Sequence, residues 1–408
     1  MNTRREFLGL LACGSLAVAE TDPPLPAAKP EQVGLSSERV KRLHAFIAGY
    51  VDRREIAGAV TVLTRRGKLV EFQAHGYSDV EVQRPMRTDD IFRIASMTKP
   101  IATVAALMLL EEGRYLLEEP ISKYLPEFRD MKVGVGRPAD PGYKLVPAAR
   151  EVTIHDLFSH RSGLALRGAA GEAQPAPPES NPLAQRVKNI AATPLLFQPG
   201  SGWNYGPSTD VLGHLIEVLS GSSLDDFLHS RIFVPVWMHD THFRLPKEKL
   251  PRLATLYQKL PGKDLEKTPN QPDVLEPRYY SASGGLVSTP VDYVRFCQMM
   301  VNGGELDGRR YLSRKTLELM TAESWSPIPL SFLQGQYFGL GVAVKDQSTA
   351  SGLLGSPGTY GWSGAYNTYF RIDPKEQLVI ILFVQIAPGN NIGLQYGFHN
   401  EAIQAIAD

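Results

Sequence analysis

Two spacings of apolar residues, one helical and one alternating, recur along the chain and predict its main elements. A first helix is predicted behind a capping Ser36, because the apolar residues after it repeat at helical spacing: Val40, Leu43, Ile47 and Tyr50. Residues 59–77 have the pattern of two strands, with Arg66-Gly67-Lys68 as the hairpin turn between them. A helix and a hairpin are therefore expected early in the chain.

A second helix is predicted to begin close to Ser96. Its apolar residues also repeat at helical spacing: Ile101, Val104, Ala105, Met108 and Leu109. Proline fits only into the first turn of a helix, so Pro100 prevents this helix from starting much before Ser96. Gly113 has the place of the glycine that commonly ends a helix.

The middle of the chain, residues 115–277, is predicted to be mainly helical. Helices are expected in three places: 153–163, 211–219 and 224–233. Residues 116–154 are mixed and rich in proline and glycine, and we expect a long surface excursion there. Residues 167–182 contain few aliphatic side chains and are expected to form a flexible loop.

Strand patterns return from Gly284 onwards, and a closing helix is expected over 392–407. The strands are predicted over 337–344, 368–372 and 377–386. Strand-rich parts at both ends, 35–114 and 278–408, flank the helical middle. The predicted fold class is therefore α/β, of the α+β type, with one sheet built from both chain ends and an inserted helical domain at 115–277.

The composition argues against several functional classes. Lysine plus arginine (43) equals aspartate plus glutamate (43) and no basic block occurs, so no nucleic-acid partner is expected. The nine histidines form no spaced cluster of metal ligands, so no metal is expected. Cys13 and Cys297 are the only cysteines, so we do not expect a fold that is held together by disulfide bonds.

Residues 1–19 have the pattern of an export signal. Arg4-Arg5 precede an apolar run, and Ala17-Val18-Ala19 offer small residues for cleavage before Glu20. An alternative interpretation is a lipoprotein box ending at Cys13, although the apolar run before it is short. The run is also too short for a permanent membrane span. We expect an exported protein, periplasmic or secreted, with residues 20–34 as a proline-rich leader.

Three short stretches carry the candidate chemistry. Ser96 and Lys99 form a Ser-x-x-Lys at a helix start, where the ammonium lies on the same face as the hydroxyl and can activate it as a nucleophile. By chance this spacing occurs on the order of once in such a chain, so alone it is weak. Tyr205 lies between turn residues. Beside a lysine its phenolate could be stabilised and act as a general base. More commonly, a tyrosine in such a loop is simply a half-buried packing residue. Residues 358–369 have the pattern of an edge strand with small residues.

Together the three stretches resemble those of the class C β-lactamase and Ser-x-x-Lys esterase superfamily, and most closely those of the family VIII carboxylesterases. The resemblance runs from about Leu35 to the carboxyl terminus and includes Leu157-Phe158-Ser159-His160-Arg161-Ser162-Gly163-Leu164. It implies an antiparallel sheet with helices on both faces plus a helical domain, and a site between the two. It implies no cofactor.

The resemblance also implies roles for single residues. Ser96 would form the acyl-enzyme, Lys99 would activate it and shuttle protons, and Tyr205 would be the base. The backbone N–H groups of Ser96 and Ala365 would form the oxyanion hole. The other substrate-binding residues implied are Trp362, Ser363 and Gly364.

Two departures from the β-lactamase pattern indicate an esterase. Pro207 stands where a β-lactamase or penicillin-binding protein has an asparagine, and Trp362 stands where those enzymes have the lysine of Lys-Thr-Gly. No Gly-x-Ser-x-Gly occurs, so the nucleophile elbow of an α/β-hydrolase is not available. We therefore predict an exported serine esterase for small, short-chain carboxylic esters. The alternatives are a β-lactamase, a D-amino-acid peptidase, or a sensor-like module that is acylated with little turnover; Ser363 keeps a hydroxyl that leaves weak β-lactam binding open.

Overall fold

An eight-stranded antiparallel sheet is the central element of the computed structural model, which describes residues 25–136, 138, 141–165, 182–269, 271–322, 334–347, 352–389 and 392–408. In chain order its strands are β1 (Gly58–Arg65), β2 (Lys68–Asp79), β3 (Arg84–Pro85), β4 (Gln336–Phe338), β5 (Ala343–Lys345), β6 (Tyr360–Ser363), β7 (Tyr369–Asp373) and β8 (Leu378–Val384). Their order across the sheet is β4-β5-β6-β7-β8-β1-β2-β3. β1 pairs with β8 from Ala59↔Val384 to Arg65↔Leu378. The sheet is thus built from both chain ends, and the predicted fold class is confirmed.

Helices cover both faces of this sheet. They are α1 (Ser37–Asp52), α2 (Thr98–Glu111), α3 (Ile154–Phe158), α4 (Pro182–Ala191), α5 (Ser208–Ser220), α6 (Leu224–Leu228), α7 (Val234–Val236), α8 (Pro290–Val301), α9 (Arg314–Thr321) and α10 (Ile392–Gln404). A π-helical segment, His229–Phe233, joins α6 to α7. Short 3₁₀ turns occupy Pro30–Val33, Ala95–Met97, Ile121–Lys123, Pro126–Phe128 and Lys247–Arg252.

Two-residue and four-residue strands form smaller pairings away from the main sheet. They are Phe92–Arg93 with Val287–Ser288, Lys132–Val135 with Lys144–Pro147, Glu305–Leu306 with Arg309–Arg310, and Tyr257–Gln258 between Glu266–Lys267 and Ile386–Ala387.

The central strands β1 and β8 are buried along their whole length because both faces of the sheet are covered. Successive side chains point to opposite faces. Ala59 and Leu63 join a core with α1 and α10, whereas Val60 and Val62 join a larger core on the other face. The larger core contains α2, α5 and α8 as well as residues of the segment 115–277. The predicted domain boundaries within this shared core stay a prediction.

Helix α2 is buried on all sides from Thr98 to Leu109, so it is a core helix rather than an amphipathic surface helix. Pro100 lies in its first turn, and Gly113, with φ +68°, follows its end as predicted. The predicted helix behind Ser36 is also confirmed, since the Ser36 side chain accepts the Arg39 N–H.

Three local predictions were wrong in whole or in part. Residues 116–154 are a surface excursion only in part: Ile121, Leu125 and Phe128 are buried in the larger core, whereas Lys144–Pro147 is mainly exposed. The helix predicted over 153–163 ends at Phe158, and His160 then turns with φ +57°. The single strand predicted over 337–344 is the hairpin β4–β5, closed where the Gly339 N–H donates to the Val342 carbonyl.

The third candidate stretch was also predicted wrongly in one respect, since β6 is not an edge strand. It lies between β5 and β7. However, β5 pairs only with Tyr360 and Gly361, so Trp362 and Ser363 have no strand partner on that side among the described residues. Among the described strands this end of β6 is therefore unpaired on one side, and it is the open end of the strand.

Several predictions lie outside the described residues. They concern the export signal at 1–19 with Cys13, residues 20–24 of the leader, and nearly all of the loop predicted at 167–182, of which Pro182 begins α4. Within the described ranges, no helix has the length and apolar character needed to cross a bilayer.

Candidate active site

Ser96 and Lys99 come together at the start of α2. Ser96 is partly exposed on the 3₁₀ turn Ala95–Met97, and Lys99 lies in the first turn of the helix. The Lys99 Nζ donates to Ser96 Oγ at 3.3 Å and to the Ser283 carbonyl at 2.6 Å. With only 3% of its surface exposed, Lys99 is a buried ammonium held against the hydroxyl. This contact was predicted from the Ser-x-x-Lys spacing.

The turn that carries Ser96 has an unusual backbone. Ala95 has φ +45°, in the left-handed region that residues with a Cβ rarely adopt. The turn is held by the Met97 N–H, which donates to the Ile94 carbonyl at 3.0 Å, and by the Tyr293 hydroxyl, which donates to the Met97 carbonyl at 2.9 Å. Surrounding contacts therefore maintain the strained backbone that presents Ser96.

Tyr205 reaches the same place from the loop before α5. The Trp362 Nε1–H donates to Tyr205 Oη at 2.9 Å, and the Lys99 Nζ lies 4.5 Å from the centre of the Tyr205 ring. Tyr205 is thus in contact with one residue from each of the other two candidate stretches. The fold brings together Lys99, Tyr205 and Trp362, which are far apart in the sequence.

Gly364 allows β6 to end against the main chain that leads into Ser96. A Cβ at this position would lie 2.1 Å from Thr368 Oγ1 and 2.4 Å from the Ile94 carbonyl oxygen. The Gly364 N–H donates to the Thr368 carbonyl at 2.7 Å, and the Thr368 hydroxyl donates to the Ile94 carbonyl at 3.2 Å. The small residue is therefore required for this close approach.

Ala365 is exposed in the turn after β6, and Ser363 is half-buried at the end of that strand. Among the described residues, neither the Ala365 N–H nor the Ser96 N–H donates a hydrogen bond to another group. The N–H groups of Ala365, just after β6, and of Ser96 could therefore both donate to a negatively charged substrate oxygen. Their joint action as an oxyanion hole stays a prediction.

Aromatic rings line the site beside Tyr205. Phe338 packs edge-on against Trp362 at 5.1 Å and against Trp203 at 5.6 Å, and Trp203 stacks on Tyr205 at 6.1 Å. Such a wall favours apolar or aromatic parts of a substrate over charged ones. Trp203 and Phe338 were not predicted, because single aromatic residues carry no sequence signal for a site.

Asp210, in the first turn of α5, was also missed. Its Oδ1 accepts both the Ser281 hydroxyl and the Ser283 N–H, each at 2.9 Å. The Ser283 carbonyl in turn accepts the Lys99 ammonium. Asp210 therefore holds the segment that holds Lys99. An acidic residue in the first turn of a helix is common, so the sequence gives no hint of this connection.

His160 lies 4.9 Å from Tyr205, between ring centres, and is fully buried. Burial, reinforced by the nearby charge of Lys99, lowers the pKa of His160 to about 3. The imidazole is therefore neutral at physiological pH and would not donate a proton as an acid.

Comparison with known proteins shows the family to which this chain belongs. The sequence model of the family described as Beta-lactamase matches residues 43–395. The chain belongs to the beta-lactamase family. Protein Rv1367c of Mycobacterium tuberculosis (strain ATCC 25618 / H37Rv) is 33% identical over 360 residues, which are 84% of this chain and 89% of that protein. Esterase EstB of Burkholderia gladioli is 31% identical over 376 residues, 85% of this chain and 90% of the esterase.

Solved structures show that the beta-lactamase fold extends over nearly the whole chain. Simvastatin synthase (LovD) from Aspergillus terreus superimposes with a TM-score of 0.78 and 23% identity, covering 91% of this chain and 98% of that structure. The predicted resemblance to the Ser-x-x-Lys hydrolase superfamily is confirmed. The protein is a hydrolase of the beta-lactamase fold with esterases among its relatives.

Proposed function

We propose that this beta-lactamase-family protein is a serine esterase that hydrolyses short-chain, uncharged carboxylic esters through an acyl-enzyme on Ser96. The observation that carries the proposal is the combination of the Lys99–Ser96 contact at 3.3 Å with Trp362, not a lysine, at the open end of β6. The similarity to Esterase EstB supports the same reaction class.

The reaction begins when Ser96 Oγ forms a bond to the ester carbonyl carbon. Tyr205 acts in its phenolate form, stabilised by the neighbouring positive charge of Lys99, and accepts the hydroxyl proton of Ser96 as this bond forms. The main-chain N–H groups of Ser96 and Ala365 stabilise the oxyanion. The carbon–oxygen bond to the alcohol then breaks and the alcohol leaves with the proton. A water molecule attacks the acyl-enzyme with Tyr205 as base, releasing the carboxylic acid and the free serine.

Trp362 and Pro207 support ester over β-lactam substrates. An anionic β-lactam would gain a charge-assisted contact from a lysine at position 362 and an amide contact from an asparagine at 207, and this chain offers neither. A hydrogen bond to a charged group contributes about 1.5–3 kcal/mol and a neutral one about 0.5–1.5 kcal/mol. Losing both costs roughly 2–4.5 kcal/mol, or about thirty- to two-thousand-fold in kcat/KM.

The experiment is intact-mass analysis and kinetics with p-nitrophenyl butyrate, benzylpenicillin and a phosphonate. We expect stoichiometric phosphonate labelling, fast ester turnover and far slower β-lactam turnover. Ser96→Ala should abolish labelling and esterase activity while the fold is retained. Labelling of the Ala variant would show that Ser96 is not the nucleophile.

Other outcomes would select the alternatives. Similar kcat/KM for the ester and the β-lactam would indicate a β-lactamase, and preferential cleavage of a D-amino-acid peptide would indicate a peptidase. A long-lived acyl adduct with little turnover would indicate a sensor-like module.

The proposal includes export to the periplasm or medium, on the basis of Arg4-Arg5 and Ala17-Val18-Ala19. Mass measurement of protein recovered from those compartments should give a chain that begins at Glu20. A diacylglycerol adduct on Cys13 would support the lipoprotein alternative instead.

A further inference from the structure

His160 lies in the segment Ser159-His160-Arg161-Ser162-Gly163, which is part of the family resemblance. The reaction proposed above gives this segment no role. His160 is 1% exposed and has φ +57°. A residue with a Cβ is uncommon in this region of backbone space and is retained there only when the surroundings require it. The position therefore calls for a physical explanation.

The contacts of His160 surround Tyr205. The Asn204 N–H donates to the His160 carbonyl at 3.0 Å, and the Gly206 N–H donates to the His160 Nδ1 at 3.5 Å. The main-chain neighbours of Tyr205 on both sides are thus bound to one residue. The imidazole also packs directly on the Tyr205 ring.

The same loop is tied down at a second point. The Asn204 side-chain Nδ2–H donates to the Leu164 carbonyl at 2.8 Å, four residues beyond His160 in the chain. A Cβ on Gly206 would lie 2.9 Å from that carbonyl oxygen. The loop that carries Tyr205 therefore lies in tight contact with the segment 160–164, and His160 is its central contact.

The direction of the Gly206 bond defines the state of the imidazole. Since Nδ1 accepts a hydrogen bond, the ring proton is on Nε2. The Nε2 atom has no hydrogen-bond partner among the described residues and is enclosed with the rings of Trp203 and Phe338, at 6.0 and 5.3 Å between centres. In a protonated ring Nδ1 would also carry a hydrogen and could no longer accept the Gly206 N–H. The ring would also bring a positive charge close to Lys99, and an unpaired charge in this buried place is unfavourable.

We infer that His160, as a neutral imidazole, is a positioning residue that fixes Tyr205 for its role as base. The inference rests on the proposed function, in which Tyr205 accepts the Ser96 proton. The acceptor at Nδ1 and the main-chain carbonyl hold the tyrosine loop, while the ring supports the aromatic face. Small displacements of a reacting group of about 1 Å can cost on the order of a hundredfold in rate.

The test compares His160→Asn with His160→Gln. The amide oxygen of asparagine can occupy the place of Nδ1, and asparagine tolerates a positive φ. Glutamine carries the same amide one methylene further out and cannot place its oxygen there. We expect the Gln variant to lower kcat for p-nitrophenyl butyrate by about ten- to a hundredfold, with KM changed less than about threefold. We expect the Asn variant, which keeps the acceptor but lacks the ring, to recover most of the kcat that the Gln variant loses.

Two controls separate positioning from stability. His75→Gln alters another buried histidine, on β2 and outside the site, and should leave kcat unchanged while lowering the melting temperature. In a Tyr205→Phe background, His160→Gln should cost less than about twofold more, because its effect acts through Tyr205. Equal kcat for the Asn and Gln variants, or an undiminished loss in the Phe background, would overturn the inference.

A readout that needs no ester keeps this test separate from that of the proposed function. The rate of phosphonate labelling at Ser96 should fall in the Gln variant and recover in the Asn variant, with a final stoichiometry of one in each. A crystal structure of the Gln variant should show the Tyr205 side chain displaced. If the wild type fails to turn over esters but these two results hold, the proposed function is wrong and the role of His160 stands. An unmoved tyrosine with normal labelling would refute the role of His160.

Discussion

Trp362→Phe removes one hydrogen-bond donor from the candidate site and little else. The indole Nε1–H donates to Tyr205 Oη at 2.9 Å, with the two ring centres 5.3 Å apart. Phenylalanine keeps an aromatic ring that can pack against Phe338 at this place but has no N–H. We therefore expect a specific effect on Tyr205 rather than a loss of the fold.

The size of that effect depends on the charge that the Tyr205 oxygen carries in the transition state. A hydrogen bond to a charged oxygen contributes about 1.5–3 kcal/mol, which corresponds to a loss in kcat of roughly 10- to 150-fold. A neutral hydroxyl acceptor would give about 0.5–1.5 kcal/mol, or roughly two- to twelvefold. The reaction proposed above uses Tyr205 as a base, so we expect the larger loss, with KM nearly unchanged.

The assay is a double-mutant cycle in kcat for p-nitrophenyl butyrate, with Trp362→Phe, Tyr205→Phe and the double variant. Without the tyrosine oxygen the indole N–H has no acceptor, so Trp362→Phe should cost less than about twofold in the Tyr205→Phe background. The same loss in both backgrounds would mean that Trp362 acts on substrate or packing instead. A loss under about twofold in the wild-type background would also refute the reasoning.

Three further predictions follow from the same site and core. Tyr205→Phe should lower kcat far more than it raises KM; a loss below about tenfold, or roughly 1.4 kcal/mol, would make Tyr205 a packing residue. Gly364→Ala should reduce kcat/KM by about a hundredfold, because its Cβ would collide with Thr368 and Ile94 beside Ser96, whereas Gly142→Ala, which meets no atom within 4 Å, should be silent. The free energy of unfolding should fall as pH decreases from about 6.5 towards 4, because burial lowers the pKa of five histidines and the unfolded chain binds more protons in that window, each contributing at most about 1.4 kcal/mol per pH unit. These histidines are His75, His155, His160, His242 and His399. Burial raises the pKa of Asp292 to about 7, so its titration acts in the opposite sense. Urea midpoints across this range, with His75→Gln giving a shallower slope, measure the effect, and a profile that is flat or rises towards low pH would contradict it.

Interactions between residues close in the chain could be predicted from the sequence alone. The Ser36 cap, Pro100 in the first turn of α2 and Gly113 after its end all depend on a few neighbouring backbone groups. The Ser96–Lys99 contact is of the same kind, since residues three apart on a helical turn face the same side. The continuous apolar pattern of β8 likewise indicates a strand covered on both faces.

Contacts between distant parts of the chain were decided by the tertiary structure. Trp362 lies 157 positions from Tyr205, and His160 and Asp210 hold parts of the site from other elements. Two wrong predictions concern such contacts. β6 is an interior strand because β5 turns back beside it, and beyond the end of α3 at Phe158 the His160 carbonyl accepts the Asn204 N–H of the Tyr205 loop. Local propensity determines which segments are helix or strand, but hydrogen-bond partners across the fold depend on how all these segments pack at once.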